Sequence, residues 1–131
     1  MKRDLKILLV EDDKDFRTQV AKLLSVYCRV DCVGSIAEAR KAIQTKPYDV
    51  AILDKGLPDG NGLEFIPELK RENPRIAVIV LTGDSRYNEL EKWLSRGAHD
   101  YVIKTENIEP ELLLKIPTVL ERIAKDQKLR N

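Results

Sequence analysis

Three runs in this chain are apolar at every position: "ILLV" (7–10), "VAIL" (50–53) and "IAVIVL" (76–81). A strand with one face in water alternates apolar and polar side chains, so a run without polar positions has to be covered on both faces. Between these runs the apolar residues change period. After "EDD", positions Phe16, Val20, Leu23 and Leu24 recur at helical spacing. "RVDCV" reads as a second strand, and Ser35 with Glu38 forms a capping box that opens the helix "IAEARKAIQ". "GLEFIPELKRE" reads as a third helix, with Pro67 near its first turn and Asn73-Pro74 stopping it. A short helix around "YNELEKWLS", the strand "YVI" (101–103) and a last helix opening near Pro110 complete the series. Five strands therefore alternate with five helices, which predicts an α/β fold: a doubly wound, five-stranded parallel sheet with helices on both faces.

Length and charge narrow the classes that this order leaves open. At 131 residues the chain suits one compact core. Its 23 basic and 22 acidic residues give a net charge of +1 and no one-signed face for nucleic acid or a membrane surface. No apolar run approaches the roughly 20 residues of a membrane span, and "MKRDLKILLVEDD" turns acidic too early for a signal peptide, so a cytoplasmic protein is expected. Cys28 and Cys32 fall on one face of an alternating strand and read as small core fillers, without further metal ligands in sequence reach.

In parallel sheets of this kind, sites form beyond the carboxyl ends of the strands. Here the first strand ends on Glu11 and Asp12, the third on Asp54, the fourth on Thr82 and the fifth on Lys104. Asp54 alone would read as a turn former before "GLPDGNG", Thr82 as a cap and Lys104 as a solvated charge. Together they make a set with a chemistry. Three converging carboxylates call for a proton or a hard cation, and magnesium, with manganese as a substitute, accepts carboxylate and carbonyl oxygens. An ionised carboxylate is a competent nucleophile toward phosphorus. An ammonium and a hydroxyl beside it can steady the spread charge of a phosphoryl group in transfer.

Over nearly its whole length, from "KILLVEDD" to "VLERI", the sequence resembles a bacterial response-regulator receiver domain. The resemblance rests on Glu11 and Asp12 after "LLV", Asp54 in "ILDKGLPDGNGLE", Thr82 in "VLTGDS" and Lys104 in "GAHDYVIK". It implies a flavodoxin-like strand order 2-1-3-4-5, with Asp54 as phosphoacceptor for a sensor histidine kinase or phosphotransfer protein. By the same likeness Asp12, Asp54 and the Gly56 carbonyl bind magnesium directly, Glu11 acts through water, and Thr82 and Tyr101 form the conformational switch. Asp13 is left to cap the first helix. The likeness also implies a homodimer through the face of the fourth helix, fifth strand and fifth helix. Trp93 reads as a half-buried surface aromatic on that face, and His99 as a surface loop residue.

Two positions depart from the pattern. Lys104 is followed by Thr105 where the family usually has a proline after a cis bond, and a cis bond before threonine costs roughly 2.5 to 4 kcal/mol. Gly56 replaces a polar side chain that many members direct at the hydrolytic water, whereas Asp84 keeps a polar group two residues after Thr82. The missing side chain is expected to change the rate of autodephosphorylation. At the carboxyl end, residues 1–121 are expected to form the receiver and 122–131 a polar helical tail leading toward a further domain, with Pro117 kinking or breaking the helix. Two other functions stay open on sequence: a receiver fold that binds a partner without phosphorylation, and a magnesium phosphohydrolase. The second lacks the carboxylate such enzymes carry two residues after the nucleophile.

Overall fold

The computed structural model describes residues 4–83, 90–104 and 107–130. Asp84 and the Lys104–Thr105 bond lie outside the described residues. The main sheet consists of β1 (Lys6–Val10), β2 (Arg29–Val33), β3 (Val50–Asp54), β6 (Ala77–Thr82) and β7 (Asp100–Ile103). A small antiparallel hairpin, β4 (Gly56–Leu57) and β5 (Gly60–Asn61), intervenes and shifts the numbering. The sheet order is β2-β1-β3-β6-β7 with every pairing parallel, which is the expected 2-1-3-4-5 order of the long strands.

The all-apolar runs behave as their composition requires. Every residue of β3 and β6 is buried, since both strands have a neighbour on each side and helices above and below. One core, holding Leu8, Ala51, Leu53 and Val78, lies under α2 (Ile36–Thr45) and α3 (Ile66–Glu72). The other, holding Ile7, Leu9, Ile52 and Ile79, lies under α1 (Lys14–Ser25) and α5 (Ile108–Arg130). Each fully buried Ile or Leu contributes about 1.5–3 kcal/mol, so the sheet centre carries much of the stability.

The helix signals hold at their starts. Asp13 caps α1 by accepting from the Asp15 and Phe16 amides, and Ser35 caps α2 by accepting from Glu38. A 3-10 turn over Gly62–Phe65, capped by Asn61, leads into α3 with Pro67 in its first turn. α4 covers Leu90–Ser95 among the described residues.

Four expectations, the first of them on α5 at both Pro117 and Ile123, are corrected. α5 runs unbroken through Pro117, because Leu112, Ile116 and Val119 are buried on both sides of it and hold the helix across the lost hydrogen bond, a loss of about 3 kcal/mol. Ile123, in the segment read as polar tail, packs against the same core. Cys28 is buried, but Cys32 is exposed, because β2 is an edge strand with a partner on one side only. Trp93 is 2% exposed and belongs to the α2–α3 core, since α4 lays its ring inward against Tyr101 at a centroid distance of 5.7 Å.

His99, the fourth, is half-buried and stitched to β6: its amide donates to the Val78 carbonyl (2.8 Å) and its Nδ1 accepts from the Val78 amide (3.0 Å). Burial lowers its pKa from 6.5 to about 4, with Lys70 of α3 and Arg122 of α5 adding to the shift and Asp126 of α5 opposing it. The unfolded chain therefore takes up a proton that the folded chain refuses between these values. The stability from neutral His99 is complete above about pH 6.5 and is lost as pH falls toward 4. His99→Asn keeps an acceptor oxygen near the Nδ1 position and does not titrate. Between about pH 7 and about pH 4.5, urea denaturation should show the wild type losing about 2 kcal/mol more than this variant. Equal losses would remove His99 from the acid response.

Candidate functional site

Parallel registration brings the strand ends to one edge. Val10 pairs with Leu53, Asp54 with Leu81, and Thr82 with Ile103, so Glu11, Asp12, Asp54, Thr82 and Lys104 emerge together. The Glu11 amide donates to Val33 (3.0 Å), the Lys55 amide to Leu81 (3.3 Å) and the Lys104 amide to Thr82 (2.8 Å), which fixes the backbone at each exit.

Glu11 is fully buried, Asp54 6% exposed and Thr82 2% exposed, whereas Asp12 faces solvent. Carboxylate oxygens of Glu11, Asp12 and Asp54 all lie within 4.8 Å of one another. The Lys104 ammonium pairs with Glu11 and stands 3.3 Å from Asp54 Oδ2, and its Nζ lies 5.0 Å from the centre of the Phe16 ring. Burial raises the Glu11 pKa to about 7, the neighbouring Asp54 carboxylate adds to the rise, and Lys104 opposes it. Burial pulls the Lys104 pKa down, but Glu11 and Asp54 more than reverse this and leave it raised. Lys104 thus meets two of the three carboxylates. A set of hard oxygen donors this close fits a small divalent ion.

The loop after Asp54 is built around two glycines with opposite demands. The Gly56 amide approaches Asp54 Oδ1 at 3.4 Å, and a Cβ at Gly56 would meet nothing within 4 Å. A Cβ at Gly62 would lie 2.1 Å from the Asp54 carbonyl oxygen, while the Gly62 amide donates to the Lys55 carbonyl at 2.8 Å. The chain can fold back under Asp54 only because Gly62 has no side chain.

Tyr101 is half-buried on β7, as its alternating position predicts. Lys115 of α5 was not singled out by sequence, yet it donates to the Tyr101 carbonyl (2.6 Å) and sits 4.8 Å from that ring's centre. It also reaches Asp100 at 3.4 Å and Glu111 at 3.5 Å. Arg17 was missed as well; it donates to the Glu11 carbonyl at 3.1 Å. Both are charges on amphipathic helices, and nothing in their spacing distinguishes them from solvated neighbours.

An acid triad, a hydroxyl and an ammonium at the carboxyl edge of a 2-1-3-4-5 sheet define a phosphoryl-handling signalling module. The response regulator receiver domain profile matches residues 7–116, and the chain belongs to that family, the receiver domains of two-component response regulators. It is 35% identical over 127 residues to the transcriptional regulatory protein KdpE of Staphylococcus aureus, covering 96% of this chain and 54% of that protein. With the two-component response regulator PhoP of Pseudomonas aeruginosa it shares 31% identity, over 90% of this chain and 52% of the relative. The chain spans about half the length of the curated relatives it matches. Among solved structures, the BeF3-activated DrrB receiver domain superposes with a TM-score of 0.81 at 31% identity, covering 90% of this chain and 98% of that one. A CheY-like receiver domain from Methanospirillum hungatei gives 0.85 at 26% identity, covering 94% and 98%. Among the described residues no helix is long and apolar enough to cross a membrane.

The two glycines yield a paired expectation. Gly62→Ala should lower unfolding free energy by about 3 kcal/mol or more, because backbone must move to admit the methyl group. Gly56→Ala should change it by less than about 1 kcal/mol. Denaturant titration of both variants is the check, and similar losses would contradict the close packing assigned to Gly62.

Proposed function

We propose that this chain is a phosphorylation-driven switch in which Asp54 is the phosphoacceptor. The observation that carries this reading is a nearly buried Asp54 carboxylate held 3.3 Å from the Lys104 ammonium, with Glu11 and Asp12 within 4.8 Å. Magnesium, when bound, supplies positive charge against the phosphoryl oxygens. Asp12, Asp54 and the Gly56 carbonyl would hold it, with Glu11 acting through water. An Asp54 oxygen attacks phosphorus of a phosphohistidine whose other ring nitrogen carries a proton taken from solvent; the O–P bond forms as the P–N bond breaks, and the P–N electron pair leaves with a neutral imidazole. Lys104 offsets charge on the transferred group. The Thr82 hydroxyl then binds a phosphoryl oxygen, and Tyr101 follows it inward.

The donor has a natural approach. A groove of about 440 Å³ beside Lys104 is lined by Phe16, Val20 and Leu23 of α1 and Ile108 of α5. An apolar helix face of a histidine kinase or phosphotransfer protein would seat there with its phosphohistidine toward Asp54. Output would pass through the α4–β7–α5 face, by homodimerisation or by a module joined after residues 1–121, with 122–131 as the connecting tail.

Intact mass after incubation with acetyl phosphate and magnesium tests the reading. One added phosphoryl group, absent in Asp54→Asn and in chelated protein, is the expected result. No gain in a wild-type chain whose magnesium binding is shown by calorimetry would mean that the fold binds a partner without phosphorylation.

The open space at Gly56 bears on how long the phosphoryl group lasts. Gly56→Asn should fold normally and change the dephosphorylation rate of the charged protein by about threefold or more, since a polar side chain there reaches the hydrolytic water. An unchanged lifetime would show that Gly56 does not set it.

A further inference from the structure

Asp59 stands at the tip of the β4–β5 hairpin, outside the acid cluster, and its carboxylate is spent on another element. Oδ1 accepts from the Ile36 amide and Oδ2 from the Ala37 amide, both at 2.9 Å. These are the first two amides of α2, the orphan donors that every helix start presents. They lie 23 and 22 residues away in sequence.

α2 does not need Asp59 to begin. Ser35 Oγ already accepts from the Glu38 amide at 3.1 Å, and Glu38 Oε2 reaches back to accept from the Gly34 amide at 2.7 Å, a local cap of its own. What the distant carboxylate adds is a tie between the hairpin and a fixed body. α2 is anchored by buried Ile36, Ala39 and Ile43, and Arg40 makes a two-toothed bridge to Glu68 of α3 at 2.8 and 2.9 Å. The hairpin is seated closely on that body. Gly60 has a φ of +149°, and a Cβ there would come 3.2 Å from Ile36 Cδ1.

The hairpin transmits this anchorage to Gly56. Leu57 pairs with Gly60, and Gly56 with Asn61. Gly56 is exposed, has no side chain, and its amide contact with Asp54 is long at 3.4 Å. Its carbonyl is therefore aimed by the hairpin.

We propose that Asp59 is a positioning residue that holds the Gly56 carbonyl at the metal site by tethering the hairpin to the start of α2. This inference rests on the reading that Gly56 contributes a magnesium ligand. A carboxylate shared by two amides is a directional clamp, and a carbonyl ligand that wanders binds a geometrically strict ion poorly.

The test compares wild type, Asp59→Asn, Asp59→Ala and Ser35→Ala, using magnesium titration by calorimetry and amide hydrogen exchange on metal-free protein. Asp59→Ala and Ser35→Ala both strip a cap from one helix, but only the first releases the hairpin. Asp59→Ala should raise the magnesium Kd about tenfold, Asp59→Asn by less because one acceptor oxygen remains, and Ser35→Ala by no more than roughly twofold. Without metal, exchange at the Gly62 amide, which donates to the Lys55 carbonyl at the base of the hairpin, should quicken in Asp59→Ala and stay at the wild-type rate in Ser35→Ala. Equal Kd shifts in the two alanine variants, or a wild-type Kd in Asp59→Ala, would overturn the proposal. Absence of magnesium binding by the wild type itself would instead overturn the reading on which it rests.

Discussion

The Lys104 ammonium between Glu11 and Asp54 is the contact on which the rest of the molecule turns. A buried carboxylate is costly unless paired, and two of them at one strand edge would drive that edge open. Lys104 reaches both. It can do so because β7 lies one strand beyond β6 and ends level with it, Thr82 pairing with Ile103. The balance is still incomplete: Asp12 brings a third carboxylate to the edge, and burial together with Asp54 raises the Glu11 pKa to about 7 against the pull of Lys104. A site left short of positive charge is suited to a divalent ion, and with that ion to a phosphoryl group. Packing defines where the shortage sits, and electrostatics defines what it can take.

That location follows from burying the sheet on both faces. β3 and β6 leave no exposed residue along their length, so polar chemistry can only appear where the strands stop. At the carboxyl edge the loop after Asp54 is tightly folded. Under Asp54 the turn is so close that Gly62 alone fits, while two residues past the carboxylate Gly56 leaves open space. The same loop thus has one glycine required by packing and one that packing does not explain.

Most of this was legible in the sequence, and the limits have physical causes. Uninterrupted apolar runs announce two-sided burial, and the terminal residues of four strands announce a common edge. Such signals depend on single elements and on period. The misreadings all concern where an element sits among its neighbours. Cys32 has the pattern of a core residue but lies on the edge strand, and Trp93 lies on a helix too short for its inner face to be read from spacing. His99 looks like a loop residue because the bond that fixes it is to the backbone of Val78, which carries no sequence mark. Pro117 obeys the local rule against helix interiors but is overridden by the apolar contacts of α5 on either side. Asp59 was not singled out in "PDG", because its partners are amides whose identity is immaterial.

The path from the site toward α5 is likewise made of contacts between elements. Lys55, the residue after Asp54, has its Nζ 5.8 Å from the centre of the Trp93 ring, and Trp93 packs on Tyr101. Lys115 lies over the other side of that contact, bonded to the Tyr101 carbonyl and drawn to Asp100 and Glu111. Two cations and two aromatic rings run from Lys55, beside Asp54, to the middle of α5. Trp93 is buried with its Nε1 unpaired among the described residues, so this part of the core carries a polar group that gains nothing from staying where it is. Tyr101 is thus in contact with both the Trp93 ring and Lys115. Each of these contacts is weak, a few tenths to about 1 kcal/mol, so the seating of β7 against α4 and α5 rests on their sum.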